Sequence, residues 1–152
     1  MSNVSTLKNR IQDEMKAAMR ARNQQRLDVI RFLLAAIKQR EIDEKIVLND
    51  AQVTAVIEKQ IKQLKDAINQ FKEAGRDELV AKESFALKLL QTYMPEPLTD
   101  AELEALIKTI ITETGASSIR DMGKVMGALK AKIQGRADMS KVSAKVKQLL
   151  QT

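Results

Sequence analysis

Hydrophobic positions recur along this chain at steps of three and four residues, without strand-like alternation, so the pattern predicts helices from one end to the other. Leu7, Ile11, Met15, Ala18 and Met19 form a first stripe behind a cap at Ser5, and the pattern pauses at Arg22-Asn23-Gln24-Gln25. A second stripe turns Leu27, Ile30, Leu34 and Ile37 inward, and the acidic, β-branched stretch from Ile42 to Leu48 ends it in a turn. Asn49 with Gln52 three residues later makes a capping box for a long third helix carrying Val53, Ile57, Ile61, Leu64, Ile68 and Phe71. Gly75 closes that helix. Asp77 starts a fourth, with Leu79, Ala86, Leu90 and Tyr93 on one face and Glu83 interrupting the stripe.

Met94-Pro95-Glu96-Pro97 is the clearest boundary, because two prolines remove two amide donors and push the residues before them towards extended backbone. Directly after it, Thr99 and Glu102 form a second capping box, and Leu98 faces Leu103 as a hydrophobic staple. A fifth helix then buries Leu103, Leu106, Ile107, Ile110 and Ile111 and runs to Gly115. The sixth begins after a cap at Ser118, with Ile119, Met122, Met126, Leu129 and Ile133 as its core stripe. Gly135 terminates it, and Asp138 caps a seventh helix bearing Val142, Val146, Leu149 and Leu150. The expectation is an all-α protein: an N-terminal four-helix region over residues 1–94, then a small three-helix tail domain over residues 95–152. A tail of under about 60 residues has a marginal core, so it is expected to lean on the first part or on a partner.

The polar face of the sixth helix is unusual. Arg120, Gly123, Lys124, Gly127 and Ala131 share it at i, i+3, i+4, i+7 spacing, so small residues lie between two cations. Glycine inside a helix costs about 0.8–1 kcal/mol relative to Ala, and no turn requires it at 123 or 127. Close backbone approach is the remaining reason, either by a neighbouring helix or by a phosphate held between Arg120 and Lys124. From Ala116 to Thr152 there are eight cations, Arg136 and Lys141 among them, against Asp121 and Asp138, a net +6. The stretch from Lys8 to Arg40 carries nine cations against three acids, a second basic candidate that solvated helix faces with i,i+4 pairs also explain.

Composition narrows the chemistry. The net charge of +6 over 152 residues suits polyanionic partners, while 3% aromatic residues leave no base-stacking platform. Without cysteine or histidine there is no disulfide, thiolate or imidazole, and no zinc site of the usual kind, so no metal or cofactor is expected. No apolar run is long enough to span a membrane. The basic, amphipathic first 22 residues contain Asp13 and Glu14, which argues against a mitochondrial presequence, and the protein is expected to be cytoplasmic. Ser117 and Ser118 read as capping residues, and Asp77-Glu78 and Glu102/Glu104 as acids favoured at helix starts. No autonomous active site is expected.

The string GALKAKIQGRADMSKV, with Gly127 and Gly135 eight apart, then Ala137-Asp138, Val142 and Leu149-Leu150, resembles the C-terminal tail of the B subunit of glutamyl/aspartyl-tRNA amidotransferases. Together with LDVIRFLLAAIKQREID, KQIKQLKDAINQFKEAGRDEL and YMPEPLT, it makes the whole chain similar to the small stand-alone relatives of the GatB/YqeY family. The resemblance implies a helical domain followed by a three-helix tail, the part of the B subunit that holds transfer RNA by its outer body. The phosphoryl-transfer domain and the glutamine-hydrolysing subunit of that enzyme have no counterpart in this sequence.

The expected function is a non-catalytic helical module binding tRNA or other structured RNA through phosphates and shape. Arg120, Lys124, Arg136 and Lys141 are expected at phosphates, Gly123 and Gly127 at the closest backbone approach, and Gly135 in the turn. A tRNA-modifying or aminoacylation enzyme is a further partner class. The alternative from another class is participation in carbon–nitrogen ligase (amidotransferase) activity with glutamine as amido-N-donor, and a third is a protein adaptor that docks a helix on the glycine face.

Overall fold

The computed structural model describes residues 5–133 and 136–151. The described residues form seven α-helices and one short 3-10 turn, with no strand. The chain divides into two compact units, Met1–Met94 and Pro95–Thr152.

In the first unit, α1 (Thr6–Arg20), α2 (Gln24–Glu44), α3 (Asp50–Glu73) and α4 (Asp77–Gln91) surround a core of Ile11, Ile30, Leu33, Ile37, Leu48 and Ile57, closed by Leu90 and Tyr93. Leu33, rather than the expected Leu34, joins Ile30 and Ile37 as a fully buried residue of α2; Leu34 is only half-buried. Periodicity cannot separate neighbours at the edge of a stripe, and the packing of α2 on both α1 and α3 decides between them.

The ends of these helices follow local chemistry. Ser5 caps α1 by accepting from the Lys8 amide, and Asn49 and Gln52 form their reciprocal box at the start of α3. Gly75 takes φ +69° after α3, where its own amide and that of Arg76 donate to the Lys72 and Phe71 carbonyls, a Schellman closure. Arg22 (φ 54°) and Lys45 (φ 55°) hold left-handed conformations after α1 and α2 without being glycine. Their Cβ atoms make that conformation uncommon, so the turns are set by the helices they join rather than by residue type.

Two carboxylates tie the unit together at long range. Asp50 accepts from the Ser5 hydroxyl, from the Thr6 hydroxyl at 2.8 Å and from the Leu7 amide at 3.1 Å, joining the first turns of α1 and α3. Glu41 accepts from Lys8 Nζ at 2.8 Å and from the Leu48 amide at 2.9 Å. These bonds hold both carboxyls below their ordinary range, through the Ser5 hydroxyl first for Asp50 and through Lys8 first for Glu41. A depressed carboxylate stabilises the fold above its unfolded pKa, near 4, and that contribution disappears as pH falls through the folded value. Glu41→Gln with Asp50→Asn should therefore lower stability by about 1–2 kcal/mol at neutral pH. The parent and the variant should converge as the medium is acidified below about pH 4. Parallel melting curves from pH 7 to 3 would show that these carboxylates do not carry the acid sensitivity.

In the second unit, α5 (Asp100–Thr114), α6 (Met122–Ile133) and α7 (Met139–Gln151) meet around Leu103, Ile107, Ile110, Val125, Leu129, Ile133, Val142, Val146 and Leu150. Thr99 and Glu102 box the start of α5, and Gly115 ends it at φ +69°. One expectation is corrected here. Ile119 is not core; it is 43% exposed, because a 3-10 turn over Ile119–Asp121 precedes α6 and takes it off the helical register. Val125, outside the expected stripe, is fully buried, while Met122 and Met126 flank the core half-buried. The centre of the apolar face is therefore Val125-Leu129-Ile133, at i, i+4, i+8.

Candidate nucleic-acid interface

The turn that opens α6 sets the geometry of its outer face. Ser118 accepts from the Arg120 amide at 3.3 Å, and the Asp121 carboxylate accepts from the Ser117 and Ser118 amides at 2.9 and 3.4 Å. These two backbone bonds, with the Lys124 charge as the smallest contributor, hold the Asp121 carboxyl below its ordinary range. Asp121 thus remains an anion engaged with backbone, and Arg120 is presented on the 3-10 turn rather than on the α-helix proper.

With the core side of α6 centred on Val125 and Leu129, the side turned away from it carries Arg120, Gly123, Lys124, Gly127 and Ala131, all exposed. A Cβ built on Gly123 or on Gly127 would meet nothing within 4 Å. Neither glycine has positive φ; Gly123 lies in the first turn of α6 and Gly127 near its middle. No described helix of the second unit fills the space over them.

The other expected site residues are distributed differently. Lys141 is exposed in the first turn of α7, on a separate helix. Arg136 is half-buried and works within the unit: its Nε donates to the Glu96 carbonyl at 2.9 Å, and its own carbonyl accepts from the Leu98 amide at 2.8 Å. It fastens the Pro95–Leu98 segment to the loop before α7, so phosphate contact is at most a second duty of its remaining nitrogens. Gly135 lies outside the described residues. Lys145 approaches Glu104 at 3.6 Å, as Lys108 does at 3.3 Å. Arg120, Lys124, Lys130, Lys132, Lys141 and Lys147 form no ion pair among the described residues.

The basic stretch of the first unit is more compensated. Lys8 pairs with Glu41, Arg40 with Glu44, and both Arg10 (4.0 Å) and Arg26 (3.6 Å) approach Glu14. Arg10 also lies over the Tyr93 ring, 5.1 Å from its centroid, and donates to the Thr92 carbonyl. Burial, reinforced by the Glu14 carboxylate, pushes the Tyr93 phenol well above its ordinary range. Arg10 thus fastens the end of α4 to α1, while Lys8 and Arg26 join α1 to α2, roles that charge counting alone does not reveal.

Among the described residues no group of three or more acidic, cysteine or histidine side chains could hold a metal ion, and no helix is long and apolar enough to cross a membrane. The decisive comparison is with protein families: the model for the Yqey-like protein family matches residues 8–150, nearly the whole chain. The chain belongs to the YqeY-like protein family. Several curated relatives of this YqeY-like chain are fungal. It is 35% identical over 144 residues, 93% of its own length and 79% of the relative's, to Altered inheritance of mitochondria protein 41, mitochondrial, of Pyrenophora tritici-repentis. The protein of the same name in Saccharomyces cerevisiae strain YJM789 is 30% identical over 126 residues, 78% of this chain and 68% of the relative. The Eremothecium gossypii protein is 35% identical over 94 residues, 60% of this chain, and there the match spans about half of the relative's length, 51%. These names correct the expectation of a cytoplasmic protein: the relatives are named as mitochondrial proteins and point to mitochondria instead. Asp13 and Glu14 carry no information on targeting, because both lie in α1, inside the family match that begins at residue 8.

Proposed function

We propose that this YqeY-like protein binds structured RNA, transfer RNA foremost, through the outer face of α6, by phosphate contacts and shape rather than base sequence. The observation that carries this reading is the open ground over Gly123 and Gly127, flanked by the exposed Arg120 and Lys124, which form no ion pair among the described residues. A polyanion can there reach the helix backbone itself, with a cation on either side, and pay little desolvation for doing so. Lys130, Lys132, Lys141 and Lys147, none of them in an ion pair among the described residues, extend the positive surface beyond the face. RNA of regular shape is recognised largely through its phosphates and 2′-hydroxyls, which suits a protein with four aromatic residues. For location, the relatives' names favour mitochondria.

The test is a salt titration of binding to a tRNA pool and to duplex DNA carrying the same number of phosphates. The expected result is tighter binding to tRNA at every salt concentration. Its log–log slope should correspond to about 0.7–0.9 per phosphate engaged. Equal affinity for both polymers would reduce the face to a non-specific basic surface, and no binding to either would refute the proposal.

The glycines allow a second, sharper check. Gly123→Gln with Gly127→Gln should leave the fold intact or firmer by up to about 1 kcal/mol, because glutamine is the better helix former and the space is empty. Binding of tRNA should nevertheless weaken several-fold, since the new side chains hold the polymer off the backbone. Undiminished affinity in a folded variant would leave the cations in place as the binding determinants and remove close approach from the account.

A further inference from the structure

The first unit contains a cleft that RNA binding at α6 does not use. It opens between α2, α3 and α4, and its volume is about 500 Å³, within the range of roughly 300–1,000 Å³ usual for small-molecule sites. Val29, Leu64, Ala67, Ala86 and Leu90 make its walls mainly aliphatic.

Two of its residues are not accounted for by folding. Gln60, on α3, is only 7% exposed, yet its side-chain amide has no hydrogen-bond partner among the described residues. Gln60 lines the cleft, so a molecule seated there lies within its reach. Phe32, on α2, lines the same space with 71% of its surface exposed, the most exposed of the large apolar side chains among the described residues. At the rim Asp28 and Glu83 stand with Lys82, so neither sign dominates enough to select a strongly charged ligand.

We propose that this cleft is a binding site for a small, uncharged molecule that combines a flat apolar ring with an amide-type edge. The ring covers Phe32 and the aliphatic walls, where an aromatic contact adds to simple burial. The edge offers one donor and one acceptor, the complement of the Gln60 carbonyl oxygen and amide nitrogen. A docked protein helix fits less well, because its backbone donors and acceptors are already paired within it and cannot serve the Gln60 amide.

Benzamide is the probe, and toluene, the same ring without the amide, is its control. Titrated into the full-length protein and followed by amide NMR shifts, benzamide should perturb Phe32, Gln60 and Ala86 and bind about five- to tenfold more tightly than toluene. Gln60→Leu should abolish that preference while toluene binding persists, and Ala86→Trp should block both. Equal affinity of the two compounds for the parent would mean that water serves Gln60, and would overturn the proposal without recourse to any variant. Shifts confined to residues outside the cleft, or binding of an amphipathic helical peptide there but of neither small molecule, would overturn it as well.

Discussion

Replacing Arg120 and Lys124 together by Glu should lower tRNA affinity on the order of 10- to 100-fold at about 50 mM salt and make its salt dependence shallower by about two phosphates. The size of the effect follows from what each residue does in the free protein. Both are exposed, and neither forms an ion pair among the described residues, so their charge is available to a partner. Reversal removes two attractive contacts and places two repulsive ones on either side of the open glycines. The fold should be nearly indifferent, within about 0.5 kcal/mol, as for most surface substitutions. The Ser118 cap holds the Arg120 backbone amide rather than its guanidinium, so the turn before α6 survives the change. Helix content by circular dichroism, and affinity by salt-titrated fluorescence anisotropy, give the two readouts. A well-folded variant with the parent's affinity and slope would assign RNA binding, if present, to a different surface. Reversal of Arg136 would be a poorer test, because its Nε is bonded to the Glu96 carbonyl and its loss confounds structure with binding.

Leu129→Ala should be the most damaging single truncation in the second unit, costing about 3–4 kcal/mol. Leu129 is fully buried midway between Val125 and Ile133, in a core assembled from only three helices. A small domain has little stability beyond such a loss, since a short chain buries a smaller share of its surface. Amide signals from α5, α6 and α7 should collapse at markedly lower urea than in the parent. The same truncation at Ile119, 43% exposed, should cost less than about 1 kcal/mol. Comparable losses at the two positions would mean that the core is centred where the sequence pattern alone places it, on the stripe that includes Ile119, and not on Val125.

The contrast between those two residues marks how far the pattern can be read. Spacing makes Ile119 and Val125 both admissible, since each lies within a broad apolar arc. The 3-10 turn that sets Ile119 aside depends on Ser118 and Asp121 bonding each other's backbone, a choice between two similar local energies. The same limit applies to the nine cations between Lys8 and Arg40. Their number is plain in the sequence, but Glu41 engages Lys8 and Glu14 engages Arg26 only because α1 and α2 are brought together, and Arg10 reaches the Tyr93 ring only because the fold places that ring beside it. Gln60 and Phe32 gave no signal at all, for an unpaired amide and an uncovered ring are properties of what surrounds them.

The sequence by itself determined the all-α class, the capping boxes at Asn49 and Thr99, the closures at Gly75 and Gly115, the break at the two prolines and the family. Those features act over four or five residues, or are chemical identities that no neighbour can alter. Tertiary structure alone decided that Val125 is central and that Asp50 joins α1 to α3. It also decided that Arg136 is engaged, that Gly123 and Gly127 lie uncovered, and that a cleft opens beside Gln60. Each of these depends on which helices meet and at what rotation, and that is set by burying many side chains at once rather than by any short stretch of chain.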